Sequence, residues 1–472
     1  MIRLMLITIF VSLLLFNCGG QTIHNPSATL KETGRPSSVH IEAMAMLDVN
    51  VGKADTNYQA ILQRMLWVPG YTNEARLEAL ARLWFIDREG TVRIIRQRLA
   101  RLDNPTWLKA LCQWIADEDV KELHEALISS WANKSFLMQT DNERPEYLAL
   151  VRMYDETVIA DLIFDSMLQE KKAWKQSYRT RCWELLHRLS QRDRLIALLE
   201  DTTFDEDDLF FIDLQKAKIE LGIVPLCREE ILWIRELSKP EYNSFWEEAV
   251  EALNELDIDR RSEIEMRDIP VAVSLKRHGG EGAFSRSVPV MLREIATQTD
   301  NQKHYTETMG GGQYVPGSER LKTYRDKLTW GDAVALEMVL AALDVPQVRE
   351  HLFDYAIRDN LDVTTEYGGV LALDKKGRFE VLEFKPKVRH HDRRFNASQD
   401  MFDAAYTALF HFHFHAQKLR NGDHAGPGAG DKNYANNTRA NCLVFTFVDE
   451  DTLNVDFYRH GGIVIDLGTI SK

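Results

Sequence analysis

The chain has 472 residues, too many for one ordinary hydrophobic core, so two or three domains are expected. Its 44% hydrophobic and 10% aromatic content is that of a globular chain, not a disordered one. A formal net charge of -14 argues against nucleic acid as a partner, because a phosphate backbone demands clustered Lys and Arg.

In chain order, residues 1–20 read first as a targeting segment. Arg3 supplies a positive start, "LMLITIFVSLLLF" an apolar run too short to span a bilayer comfortably, and Cys18-Gly19-Gly20 an abrupt end. The Cys directly after the run resembles a bacterial lipoprotein signal, in which that Cys is lipidated and becomes the first residue of the mature chain. Leu15 fits the pattern, whereas Phe16 and Asn17 depart from its preference for small residues. The resemblance implies lipidation at Cys18, attachment to a membrane through the lipid, and an extracytoplasmic location. The competing reading is a plain buried N-terminal helix with a core Cys. The stretch from Gly19, "GGQTIHNPSATLKETGRPSSVH", is rich in Gly, Ser, Thr and Pro, and residues 21–53 are expected to be a flexible spacer. Cys112, Cys182, Cys227 and Cys442 are scattered without zinc-knuckle or disulfide spacing, as small core hydrophobes would be.

From 54 to 265 the chain alternates amphipathic helices with short polar breaks. "EARLEALARLWFID" and "GTVRIIRQRLARL" form one such pair. "PTWLKALCQWIADEDVKELHEALISSW", "PEYLALVRMYDETVIADLIFDSML" and "RCWELLHRLSQRDRLIALLED" repeat the unit. The pattern resembles HEAT- or TPR-like α-solenoids in architecture, although no consensus position of either family is clear. Such an array implies a surface for a partner or substrate, or else a spacer. The tryptophans along it read as core. Residues 266–329 are rich in loop signals, "KRHGGEGAFSRS" and "TMGGGQYVPGSER", and read as a linker or lid; the second lacks the order of a phosphate loop.

Residues 330–472 read as an α+β domain. Two helical stretches, "TWGDAVALEMVLAALD" and "VREHLFDYAIRDN", precede strand signals at "EYGGVLALD", "RFEVLEFKP", "YTALFHFHFHA", "NCLVFTFVD", "LNVDFYR" and "GIVIDLG", with a further helix at "SQDMFDAAY". In "FHFHFHA" strand alternation puts His411, His413 and His415 on one face and three phenylalanines on the other. Neighbouring imidazoles on such a face can converge on one metal. Asp456, Tyr458 and Asp466 are expected on a half-exposed face of the last strands, and the basic run "KPKVRHHDRR" as a solvated loop, with His390, His391 and His424 outside any ligand set.

The order of these features resembles the JAMM/MPN metalloprotease family: a Glu in an "E-x-GG" context after a helix, a strand ending in HxH, and then a Ser followed three residues later by an Asp. Here "TTEYGGVLAL" supplies Glu366, "FHFHA" supplies His413 and His415, and "AGPGAGD" supplies Asp431. The resemblance covers under a third of the chain. It implies zinc as cofactor on His413, His415 and Asp431, with Glu366 as general base in hydrolysis of an amide or isopeptide bond. Two features depart from the family. Sixteen positions separate His415 from Asp431, so the loop carries an insertion and Asp423 competes as third ligand; and Gly428 stands where the family has its Ser, so its hydroxyl is absent and a backbone N–H of "GPGAG" or a nearby Asn has to substitute in the oxyanion loop. The expected whole is a multidomain, lipid-anchored α-solenoid followed by a JAMM-like zinc hydrolase domain acting on a peptide or protein. The alternative is a non-catalytic helical-repeat binding lipoprotein with a degenerate or structural metal site.

Overall fold

The structure is a computed structural model that describes residues 23–52, 55–133, 140–169, 176–308, 319–385 and 395–472. The signal segment with Cys18, the glycine-rich stretch 309–318 and the basic run 386–394, with His390 and His391, lie outside these residues. Among the described residues, 22 α-helices accompany one C-terminal six-stranded mixed sheet. No described helix is long and apolar enough to cross a membrane. The chain divides into two compact units, residues 1–166 and 167–472.

The N-terminal unit is helical throughout. Asp55, Thr72, Asp87 and Asn104 cap four successive helices, each side chain accepting a backbone N–H three residues on. Apolar residues at helical spacing then dictate how the helices stack. Ser37–Asn50, Asn73–Ile86, Pro105–Asp117 and Pro145–Tyr154 each pack on the next of the series, while Arg88–Arg98 packs on His124–Trp131. Trp107 and Trp131 are wholly buried in this stack. Residues 23–52, expected as flexible spacer, are instead helical over Pro26–Lys31 and Ser37–Asn50. Leu30, His40, Ala43, Met44 and Leu47 are buried there, and the apolar surface they offer outweighs the Gly, Ser and Pro content that suggested a tether.

In the C-terminal unit the sheet order is β2-β1-β3-β4-β5-β6, with β1 Gly368–Leu373, β2 Phe379–Glu383, β3 Phe410–His415, β4 Cys442–Asp449, β5 Thr452–Arg459 and β6 Ile463–Ser471. All six strands fall where the alternating sequence placed them. Only β3 and β4 run parallel, and the crossover between them carries the helix Ala429–Thr438. Both faces of the sheet are covered. On one, Phe412 and Phe414 pack on Tyr355 of the helix Pro346–Leu361, whose hydroxyl donates to the Gly368 carbonyl at 3.0 Å. On the other, Met401 and Ala405 of the helix Gln399–Ala405 cover Val370, and Ala435 of Ala429–Thr438 covers Cys442, Val444 and Tyr458.

Residues 266–299, expected as linker or lid, are mostly helix: Ile269–His278 and Val288–Thr299, with the first buried from Ile269 to Leu275. A charged knot ties this segment to the sheet. Asp332 accepts from Arg267 Nη1 at 2.8 Å and from Arg459 Nε and Nη2 at 2.7 Å each, and its Oδ2 also accepts the Thr329 N–H of its own helix cap at 2.9 Å. Arg267 further donates to Asn441 Oδ1 at 3.0 Å, just before β4. Arg439 reaches Glu230 and Glu265, and Trp233 Nε1 donates to the Tyr406 carbonyl at 2.8 Å. Helices from about 176 onward therefore pack with the sheet, and the compact units divide the chain at 166, not at 265 or 330.

Burial pushes the Asp332 carboxyl up, but Arg267 and Arg459 outweigh it and hold the group below the usual carboxylate range. A depressed folded pKa contributes stability that is full above the unfolded value of about 3.9 and is lost as pH falls through the folded value. Asp332→Asn, which takes the carboxylate from Arg459 and leaves Arg267 to Glu265 and Asp268, is expected to destabilise the protein by about 3 to 5 kcal/mol at pH 7 and to flatten the acid limb of its stability curve, read by urea unfolding across pH.

Candidate metal centre

The site is built on β3. Its alternation buries Phe410, Phe412 and Phe414 in the core behind the sheet and turns His411, His413 and His415 to the opposite face. Glu366 lies two residues before β1, whose Gly368 pairs directly with His413. The double glycine is required here. A Cβ on Gly369 would meet the Leu382 carbonyl at 2.0 Å, and one on Gly368 the Phe412 carbonyl at 2.5 Å, so only glycine lets β1 enter between its neighbours with Glu366 at its head.

His413 Nε2 and His415 Nε2 lie 3.3 Å apart. Asp431 Oδ1 is 3.4 Å from the first and Asp431 Oδ2 is 3.6 Å from the second. A tetrahedral ion with bonds of about 2.0 to 2.1 Å sets its donors roughly 3.3 to 3.4 Å apart, which the two imidazole nitrogens match, while Asp431 turns one carboxylate oxygen to each histidine. Among the described residues this is the one group of three or more His, Cys, Asp or Glu side chains with converging ligand atoms. The supporting contacts also suit ligation. His415 Nδ1 donates to the His424 carbonyl at 2.8 Å, which fixes the tautomer that leaves Nε2 as a lone-pair donor. The Tyr458 hydroxyl stands 3.5 Å from His413 Nδ1, and Phe395 stacks along the His413 ring.

Asp431 does not sit in a loop, as expected, but in the first turn of the helix Ala429–Thr438, where its Oδ2 accepts the Gly428 N–H at 2.9 Å. The helix start fixes the carboxylate, and the extra residues after His415 form a loop with one short 3-10 turn over Gly422–His424. Asp423 takes no part. It is exposed, and its Oδ1 accepts from the Thr308 hydroxyl at 3.0 Å. His411 is also outside the cluster, with Nδ1 2.7 Å from the Tyr434 hydroxyl, and burial lowers its pKa to about 4. Gly428 has φ of -70° and is extended, and a Cβ there would make ordinary contact with Asp431 Oδ2 at 3.6 Å.

Glu366 shares with the cluster a cavity of about 1330 Å³. Gln417 Nε2 donates to its Oε1 at 3.0 Å, and Asn421 Nδ2 in turn donates to Gln417 Oε1 at 2.9 Å. Neither amide stands out in the sequence, since Gln417 meets Glu366 across 51 residues and Asn421 joins the site only through Gln417. Asp456, Tyr458 and Asp466 are buried, not half-exposed, because the helix Ala429–Thr438 and the segment 319–324 close over the last strands. Burial pushes Glu366 up, His413 and His415 draw it down, and Asp431 adds to the rise; the net pKa is raised. For Asp431 burial also acts upward, but the two histidines outweigh it and hold the carboxyl well below the usual range.

No protein-family model, no curated protein and no solved structure matches this chain.

A raised folded pKa means that ionised Glu366 costs stability at pH above that value and nothing below the unfolded value of about 4.3. In the metal-free protein, Glu366→Gln keeps the Gln417 hydrogen bond and is expected to raise stability by on the order of 1 kcal/mol at pH 8, with the difference vanishing near pH 4, as measured by chemical unfolding.

Proposed function

We propose that the C-terminal part, residues 330–472, is a JAMM/MPN-like zinc-dependent hydrolase that cleaves an amide or isopeptide bond in a peptide or protein. The observation carrying this reading is the convergence of the ligand atoms of His413, His415 and Asp431 within 4.8 Å of one another, with the buried Glu366 carboxylate in the same cavity. Zinc held there supplies a Lewis acid and lowers the pKa of water to about 7. Glu366, held by Gln417 and raised in pKa by burial, is suited to take a proton from the attacking water and hand it to the leaving amine. A second reading, a non-catalytic lipoprotein that binds metal and a partner, is favoured by one observation: Gly428 offers no hydroxyl, and loss of one such donor costs about 10² to 10³ in turnover.

The purified protein is expected to hold about one zinc per chain by elemental analysis, lost when His413 and His415 are both changed to Ala. Glu366→Gln should retain the zinc and lose hydrolysis of a peptide and isopeptide library, whereas Gly428→Ser, which the extended backbone accommodates, should raise turnover by roughly tenfold or more. Full zinc retention in the double histidine variant would overturn the ligand set. Hydrolysis that survives Glu366→Gln would overturn the mechanism, and a zinc-loaded wild type inert on the whole library would leave the binding reading.

The lipoprotein-type signal supports an extracytoplasmic, membrane-anchored location. Cys18→Ser is expected to move the protein from the membrane to the soluble fraction of fractionated cells, and unchanged sedimentation with membranes would reject lipid on Cys18 as the anchor.

A further inference from the structure

The N-terminal unit holds a second cavity, of about 690 Å³, between the end of the helix Thr56–Trp67, the helix Asn73–Ile86 and the start of Pro105–Asp117. That is the size of a small-molecule site. Its inner wall is Arg76, only 2% exposed. Arg76 Nη2 donates to the Val68 carbonyl at 2.9 Å, but among the described residues Nε and Nη1, both buried, have no acceptor. The guanidinium lies over the Trp107 ring, 5.3 Å from its centroid, and burial, with no carboxylate beside it, is what draws its pKa down.

An arginine buried this deeply is normally paired, because taking a guanidinium out of water is costly and one carbonyl with one aromatic face returns little of that cost. Three more features point the same way. Trp67 Nε1 on the cavity wall is buried and also lacks an acceptor. Arg98, its guanidinium 5.9 Å from the Trp67 centroid, and Arg101 stand exposed on the rim. The 13-residue helix Pro105–Asp117 begins at the same rim and turns its positive end towards it. Asp103, exposed, is the one carboxylate among the lining residues. Three cations against one acid leave two positive charges to be balanced.

We propose that this cavity binds a small phosphomonoester, whose phosphate oxygens accept from Arg76 and the Trp67 indole N–H while Arg98 and Arg101 balance its double charge. A phosphate dianion meets the excess of two, which a carboxylate leaves half uncompensated. The volume beyond the phosphate, walled by Trp67, Pro69, Leu102 and Pro105, takes the organic part of the ester. This site is independent of the metal centre, because every lining residue belongs to the N-terminal unit.

The test is calorimetric titration of the full chain, treated with chelator and at constant ionic strength set by chloride, with inorganic phosphate, phenyl phosphate and benzoate. Phenyl phosphate is expected to bind more tightly than inorganic phosphate, and benzoate more weakly than either. Arg76→Met should weaken phenyl phosphate by roughly tenfold to a hundredfold. Having lost an unpaired buried charge, it should melt no lower than wild type in phosphate-free buffer. The exposed pair Arg98→Gln and Arg101→Gln together should weaken binding by about tenfold, and it decides the matter if Arg76→Met does not fold. Absence of binding by either phosphate up to about 10 mM overturns the proposal, since that limit lies above even weak small-ligand affinities. So does affinity unchanged in the variants. Benzoate binding as tightly as phenyl phosphate overturns the assignment to phosphate.

Discussion

The C-terminal unit hangs on the buried carboxylate of Asp332. It caps its own helix through Thr329, and it receives Arg267 from the preceding helical segment and Arg459 from the end of β5. Three pieces of chain distant in sequence are thereby fixed to one point. Burying such charges is tolerable only when every one is matched, and here Asn441 takes up a remaining Arg267 N–H. Gly331 belongs to the same constraint, since a Cβ there would meet the Asp268 carboxylate at 2.3 Å. The knot sets where β4 begins and β5 ends, and β4 is the strand whose parallel pairing holds β3.

The cluster of His413, His415 and Asp431 depends on that placement. A strand alternating Phe and His must have both faces covered by different chemistry: an aromatic layer under Tyr355 on one side, and a polar cavity roofed by two helices on the other. Asp431 reaches the histidines because the crossover from β3 to β4 turns helical at Ala429, and a helix start orients its first-turn carboxylate through the backbone N–H of Gly428. That same residue, Gly428, brings no hydroxyl to the cavity. Glu366 completes the set through β1, admitted to its place by two glycines.

Six strands and the helices of residues 73–201 were legible because period-2 and period-3.6 patterns survive without tertiary help. His413, His415, Glu366 and Asp431 were legible as residue types in order. Residues 23–52 and 266–299 were misread for a common reason: Gly, Ser and Pro content was weighed above a few apolar positions, such as Met44, Leu47, Val271 and Leu275, that become decisive once another element is there to cover them. Asp456 and Asp466 were misread because alternation reports which face a residue takes, not whether a helix closes over that face.

By itself the sequence determined the local elements, the alternation that gathers histidines on one side of β3, and the acidic and basic inventory available to any site. Tertiary structure placed Asp431 beside the two histidines and Asp423 away from them, joined the segment after 266 to the sheet through Asp332, brought Gln417 to Glu366, and left Arg76 buried without a carboxylate partner among the described residues. The division has a physical cause. Secondary structure follows from the backbone and from near-neighbour periodicity, which any window of the chain contains. A ligand set, a buried ion pair and an unpaired charge are relations between side chains tens to hundreds of residues apart, and these exist only once the chain has packed.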